Sequence, residues 1–138
     1  GASVIHAAPH TSANISTRTI SKAGGKATYR SAVKVTPNAH HAKCSVNCES
    51  LMLDDLSRSD TLPVMDIQGD EADIGHEATI GRISEEAVFY LMCRGISEEE
   101  ARAMIVRGFV EPIAKELPLE YAVEMNNLIN IELEGTMG

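Results

Sequence analysis

The sequence predicts a mostly β chain followed by a small helical module, and three observations carry that expectation. Through the first 80 residues β-branched and small side chains alternate with polar ones, as in "NISTRTIS", "ATYRSAVKV" and "AKCSVNCESLML". From residue 82 the period changes to that of amphipathic helices, beginning with "RISEEAVFYLMCRG". The composition points to a thin core of small side chains, with two Phe, three Tyr and no Trp. A chain of 138 residues suffices for one domain or two small pieces.

Breakers separate the strand runs at Gly24-Gly25, Pro37-Asn38, Asp54-Asp55 and Gly69-Asp70. Further strands are expected around Val64 and Ala78. Ile20, Val33 and Val46 follow one another at 13-residue intervals, a spacing that fits coils of a solenoid as well as strands of a sandwich. The change of period at Gly81-Arg82 divides the chain into modules 1–81 and 82–138. In the second module Ser84 caps a helix that Gly95 stops. Ser97 and Glu100 form an S-x-x-E capping box for a second helix, with Gly108 as its stop. A third runs from Leu119 to Glu134 after Pro118, with Ala122, Met125, Leu128 and Ile129 on one stripe. Helices this short need a packing partner. Phe109, Val110 and Ile113 around Pro112 are candidates for a docking surface.

Charge is divided along the chain. Residues 1–48 hold six Lys or Arg (Arg18, Lys22, Lys26, Arg30, Lys34, Lys43) and no acid, whereas the remainder holds 20 acids against six bases. The net of −8 therefore combines +6 with −14. The cations are spread singly without stacking aromatics, which speaks against nucleic acid and for a solvated sheet face turned to an acidic surface. With no apolar run of about 18 residues and no signal-peptide pattern, no membrane span is expected and the cytoplasm is the expected location. Three cysteines, an odd number, are expected to be reduced thiols.

The stretch "HHAKCSVNCES" concentrates potential ligands. Read as a strand, it puts Cys44, Val46, Cys48 and Ser50 on one face, with the two thiols about 13 Å apart at roughly 3.3 Å per residue. It is therefore no self-contained metal site, and each thiol must find partners elsewhere. Cys44 and Cys93 read as small buried residues. In "IGHEATIG", His76 adjoins Glu77 in an expected strand, so the two should face opposite sides unless the strand bulges. Ile80 and Gly81 stand where a helical zinc protease needs its second histidine. Coils stacked about 4.8 Å apart would bring Cys48 and His76-Glu77, some two coils apart by the 13-residue count, into a common region. Thiolate with carboxylate or imidazole suits iron, zinc or a cluster. His6, His10, His40 and His41 read as loop histidines.

The runs "NCESLMLDD", "SRSDTLP" and "GHEATIGRISEEAVFYLMCRGISEEEARAMIVRGFVEPIAKELPLEYAVEMNNLINIELEGTMG" resemble the SufB/SufD family of the SUF iron–sulfur cluster assembly machinery. The resemblance is most specific in "SEEEARAMIVRGFVEP", "ELPLEYA" and "HEAT". "GGKATYRSAVKV" and "PNAHHAKCSVNCESL" fit the family's preceding repeats, and "ELPLEYAVEMN" with the ending "ELEGTMG" favours the SufB branch over the SufD branch. It implies the C-terminal coils of a right-handed parallel β-helix followed by a helical domain that docks the SufC ATPase. It further implies that the chain is the C-terminal part of a longer protein. By the same resemblance Cys48 matches a cysteine that accepts sulfur and helps hold the nascent cluster, Glu77 its acidic partner in metal and cluster binding, and His76 the adjacent histidine. These residues would lie at a contact with SufD, or a second SufB, through the β-helix. The iron–sulfur cluster would be transient and formed in the full complex. No Walker motif is present, so the chain reads as an assembly scaffold rather than an enzyme, with ATP hydrolysis left to SufC. The alternative is a structural module contacting SufC and SufD, with Cys48 incidental.

Overall fold

In the computed structural model, which describes residues 1–134, the chain forms six strands and then three helices. The last four residues of the "ELEGTMG" ending, 135–138, lie outside the described residues. Two compact units are present, Gly1–Arg82 and Ile83–Gly138.

In the first unit the strands are β1 Ala2–His6, β2 Ser12–Ser21, β3 Lys26–Val35, β4 Lys43–Met52, β5 Arg58–Ile67 and β6 Asp73–Arg82. They build two three-stranded parallel sheets, ordered β1-β3-β5 and β2-β4-β6, so every strand crosses to the other sheet from its predecessor. Ala2 stands opposite Ser31, Ser12 opposite Lys43, Lys26 opposite Arg58 and Lys43 opposite Asp73. Paired residues are thus 29 to 32 positions apart.

The 13-residue spacing of Ile20, Val33 and Val46 is therefore not the repeat. Val33 lies between Val4 and Met65, and Val46 between Ile15 and His76. One repeat holds two strands and two corners, and the 13-residue interval only steps from one sheet to the other. β1 is a strand the alternation did not reveal, because five residues are too few to establish a period before the loop "AAPH". Pro63 is tolerated in β5 because β5 is the edge of its sheet.

The two sheets share one core. Val33 and Val35 come from β3 and Cys44, Val46 and Cys48 from β4, with Ala39 and Ala42 closing the connection between them. All are fully or almost fully buried, and the largest is a valine. Such a core leaves little room for rearrangement, since parallel strands covered on one face gain stability mainly from this interdigitation. Val46→Ala would remove two methyl groups from it, at a cost of roughly 2 kcal/mol.

The corners have their own chemistry. Between β2 and β3, Ala23 (φ 53°) and Gly24 (φ 74°) are both left-handed, as a type I′ turn requires, and the Gly25 N–H donates to the Lys22 carbonyl at 2.9 Å. Asp54, in the corner between β4 and β5, accepts from the Leu56 and Ser57 N–H groups at 2.9 and 2.8 Å and from the Ser57 hydroxyl at 2.8 Å. These bonds, the Ser57 hydroxyl foremost, with one more from the Ala23 N–H, hold the Asp54 carboxyl below the usual carboxylate range. Asp54 thereby ties the β2–β3 corner to the β4–β5 corner.

The charge division closes in space. Arg18 meets Glu49 at 2.9 Å, Lys26 meets Asp60 at 2.9 Å and Lys34 meets Asp66 at 3.5 Å, each pair joining neighbouring strands. The acidic surface that the basic half faces is in these cases the neighbouring strand of the same sheet.

In the second unit the helices are α1 Glu85–Met92, α2 Glu98–Ala114 and α3 Leu119–Glu134. Ser84 and Ser97 cap α1 and α2, accepting from the Ala87 and Glu100 N–H groups at 3.1 and 3.2 Å. Gly95 (φ 88°) ends the α1 segment in the left-handed conformation. The reciprocal half of the capping box is replaced, because the Glu100 carboxylate engages Arg107. Gly108 does not stop α2, which continues through Pro112. The proline ring would press on the carbonyl four residues back, and that residue is Gly108, whose backbone yields most easily.

Arg102 bridges α1 and α2, meeting Glu85 at 2.9 Å and Glu98 at 3.0 Å, while Arg107 donates to Asn130 of α3 at 3.2 Å. Val110 is buried, and Phe109 and Ile113 are half-buried, so the surface expected around Pro112 is mostly turned inward. On α3, Ala122, Met125, Ile129 and Leu133 form the half-buried stripe; Leu128 is 53% exposed and lies off it.

Candidate functional site

Strand alternation decides the site. β4 turns Cys44, Val46, Cys48 and Ser50 inward, and β6 pairs Val46 with His76 and Asn47 with Glu77. His76 therefore shares the inner face with Cys48, and its Nε2 lies 3.8 Å from the Cys48 Sγ. Glu77 falls on the opposite face, exposed, beside Asn47, in a shallow outer groove also lined by Ser16, Cys48, Glu49 and Thr79. No bulge interrupts the pairing from Lys43↔Asp73 to Met52↔Arg82. The structure thus brings the Cys48 side chain to His76 and turns the Glu77 side chain to the other face of β6. It also corrects the count of two coils: β4 and β6 are immediate neighbours.

The inner site is enclosed. Cys48 is 2% exposed, and burial pushes its thiol pKa up, as it does for Cys44. Tyr29, on the inward face of β3, packs on the same core, and burial first, then the Cys48 charge, raises its phenol. Ser50 beside Cys48 accepts from the Ser59 hydroxyl at 2.8 Å. Cys48 thus lies where the valine and alanine core gives way to hydroxyls and an imidazole.

Cys44 is buried among Ala13, Ile74 and the valines, as its packing role requires. Cys93, expected to be buried, is exposed at the C-terminus of α1. Among the described residues no group of three or more His, Cys, Asp or Glu stands ready to hold a metal ion. The Cys48–His76 pair offers two donors of the kind that bind soft metals, and a thiol with an adjacent proton acceptor. Tyr29 was legible in "ATYRSAVKV", whose alternation sets it on the face of Ser31 and Val33. Nothing in the sequence says which strand faces it.

The first unit is thus a parallel β protein that buries a thiol against an imidazole on the inner face of one sheet. The comparisons sharpen that class: residues 1–109 match the family model described as SUF system FeS cluster assembly, SufBD core domain. The chain belongs to the SufBD family of iron–sulfur cluster assembly proteins. It is 53% identical over 138 residues to the iron–sulfur cluster assembly protein SufB of Bacillus subtilis, covering all of this chain and 30% of that protein. It is 52% identical over the same 138 residues to SufBD family assembly proteins of Staphylococcus aureus, covering 30% of that protein, and of Mycobacterium bovis, covering 16%. The chain thus spans less than a third of the length of these relatives. The relatives are named as assembly proteins, not as enzymes. Among the described residues no helix is long and apolar enough to cross a membrane.

Proposed function

We propose that this chain is part of a scaffold subunit on which a nascent iron–sulfur cluster forms, with Cys48 as sulfur acceptor. The observation that carries the reading is the Cys48–His76 contact, a buried thiol 3.8 Å from an imidazole nitrogen, in a chain of the SufBD family. With the imidazole proton on Nδ1, His76 Nε2 takes the Cys48 proton. The thiolate then attacks the outer sulfur of a donor persulfide; a new S–S bond forms at Cys48 as the donor's S–S bond breaks, and the donor leaves as a thiolate. Cys48 is then a sulfur-loaded ligand ready for iron, which is cargo in this scheme.

Glu77 enters from the other face of β6. In this reading it binds or positions iron at the outer groove, and joint ligation with Cys48 needs a local twist of β6 at its free edge. The alternating sheets are read as coils of a right-handed parallel β-helix, whose last strands meet SufD or a second SufB. The helical unit is read as the dock for the SufC ATPase in a cytoplasmic SufBCD complex. Its exposed apolar side chains, among them Phe89 at 67%, Leu119 at 76% and Tyr121 at 68%, support a docking role.

Anaerobic reconstitution of the full-length protein with SufC and SufD tests this, using iron, sulfide and the visible charge-transfer absorption. Cys48→Ser is expected to abolish that absorption while SufC binding survives, and Cys44→Ser to leave it intact. Equal absorption in wild type and Cys48→Ser would overturn the assignment and favour a structural contact module.

A further inference from the structure

Far along β4 from Cys48, one corner of the sheet unit gathers four groups that the cluster chemistry does not use. His10 and His41 occupy equivalent places in successive coils, following β1 and β3, and their rings stack at 5.0 Å between centroids with 19° between planes. Backbone bonds lock the corner: the His10 N–H donates to the His40 carbonyl at 2.8 Å, and the Lys43 N–H to the Thr11 carbonyl at 2.9 Å. Glu71 arrives from the following coil. His41 Nε2 lies 3.3 Å and His40 Nδ1 3.9 Å from the same oxygen, Glu71 Oε2.

Two features set this corner apart from a chance surface pair. His10 (φ 58°) and His41 (φ 55°) are both left-handed, a conformation that is costly for a residue with a Cβ and that glycine would adopt freely. Strain of this kind collects at ligand sites. The side chains of His40, His41 and Glu71 are also 53–57% exposed, so an ion can reach them from solvent.

We propose that this corner binds a divalent first-row transition-metal ion, with His41 Nε2 and Glu71 as its nucleus. Two donors sharing one ion at about 2.1 Å each stand roughly 3.4 Å apart at the tetrahedral angle, which the His41–Glu71 spacing of 3.3 Å matches. The 3.9 Å at His40 is wider than that, and among the described residues no ready set of three donors stands here, so the His41–Glu71 pair is the nucleus and water fills the remaining positions. Imidazoles with one carboxylate suit zinc and ferrous iron rather than magnesium or calcium, which prefer oxygen. The assignment does not depend on the role of Cys48.

Zinc titration of the full-length protein, followed calorimetrically, tests the site. His41→Asn keeps a side chain that tolerates the left-handed backbone, and Glu71→Gln keeps shape without charge. Each is expected to weaken one zinc equivalent at least tenfold, while Cys48→Ser leaves that equivalent in place. Retention of every wild-type equivalent in both corner variants would overturn the proposal. So would loss of the equivalent in Cys48→Ser alone, or absence of micromolar zinc binding by the wild type.

Discussion

At the scale of single residues, Cys48 on β4 and Glu77 on β6 show how two paired strands serve opposite faces of one sheet. β4 is the central strand of its sheet, so Cys48 is covered on both sides by β2 and β6 and roofed by β3. A raised thiol pKa follows, and its sign has two consequences. Below the ordinary thiol range Cys48 is protonated and its burial stabilises the fold; that contribution is lost as pH rises through the folded value. Alkylation of native protein, read peptide by peptide, is accordingly expected to label exposed Cys93 first and Cys48 last, with the Cys48 rate reaching half-maximum above the pH of a free thiol. Labelling of Cys48 as fast as Cys93 at neutral pH would contradict its burial. Alternation said that only one of His76 and Glu77 can share a face with Cys48, and not which of the two. The family resemblance, which pairs Cys48 with Glu77, carries no information on which way a side chain points.

At the scale of elements, regularity decided what could be read. β4 was legible because "CSVNCES" alternates through seven residues, and α1 because Ser84 and Gly95 mark both its ends. The length of α2 was not, because Gly108 and Pro112 each resemble a terminator and only together make a bend that packing can hold. Pro112→Ala should therefore stabilise the helical unit by about 1–3 kcal/mol, since it restores a backbone donor toward Gly108 and removes the ring clash. Chemical denaturation of the variant checks this, and a lower midpoint would mean that the proline shapes a contact worth more than the lost hydrogen bond. The offset of about 30 residues between paired strands was illegible for a different reason. Sequence periodicity reports the face a residue turns, whereas the pairing partner is set by corner length, and the corners here share no common motif.

At the scale of the molecule, the first unit has a single core shared by two sheets that exchange no hydrogen-bonded strand pair. Their cooperation must come from packing. Val46→Ala is therefore expected to raise amide exchange in both sheets together, in β3 as much as in β4, although Val46 belongs to only one of them. Exchange that rises in β2, β4 and β6 alone would show that each sheet opens independently. The charge pattern belongs to this scale as well: a basic first third and an acidic remainder look like two partners along the sequence, and parallel stacking sets them side by side within one chain.

The alternation of strands between the sheets also bears on how such a chain emerges from a ribosome. No strand is paired with the one made just before or after it, so β1 to β4 each wait for about 30 further residues before their later partner exists. At roughly 5–20 residues per second the delay is about 2–6 s for each of these strands in turn. During that interval a freshly made edge is exposed to any other nascent chain nearby, and the singly spread lysines and arginines of the first strands are well placed to discourage such an encounter.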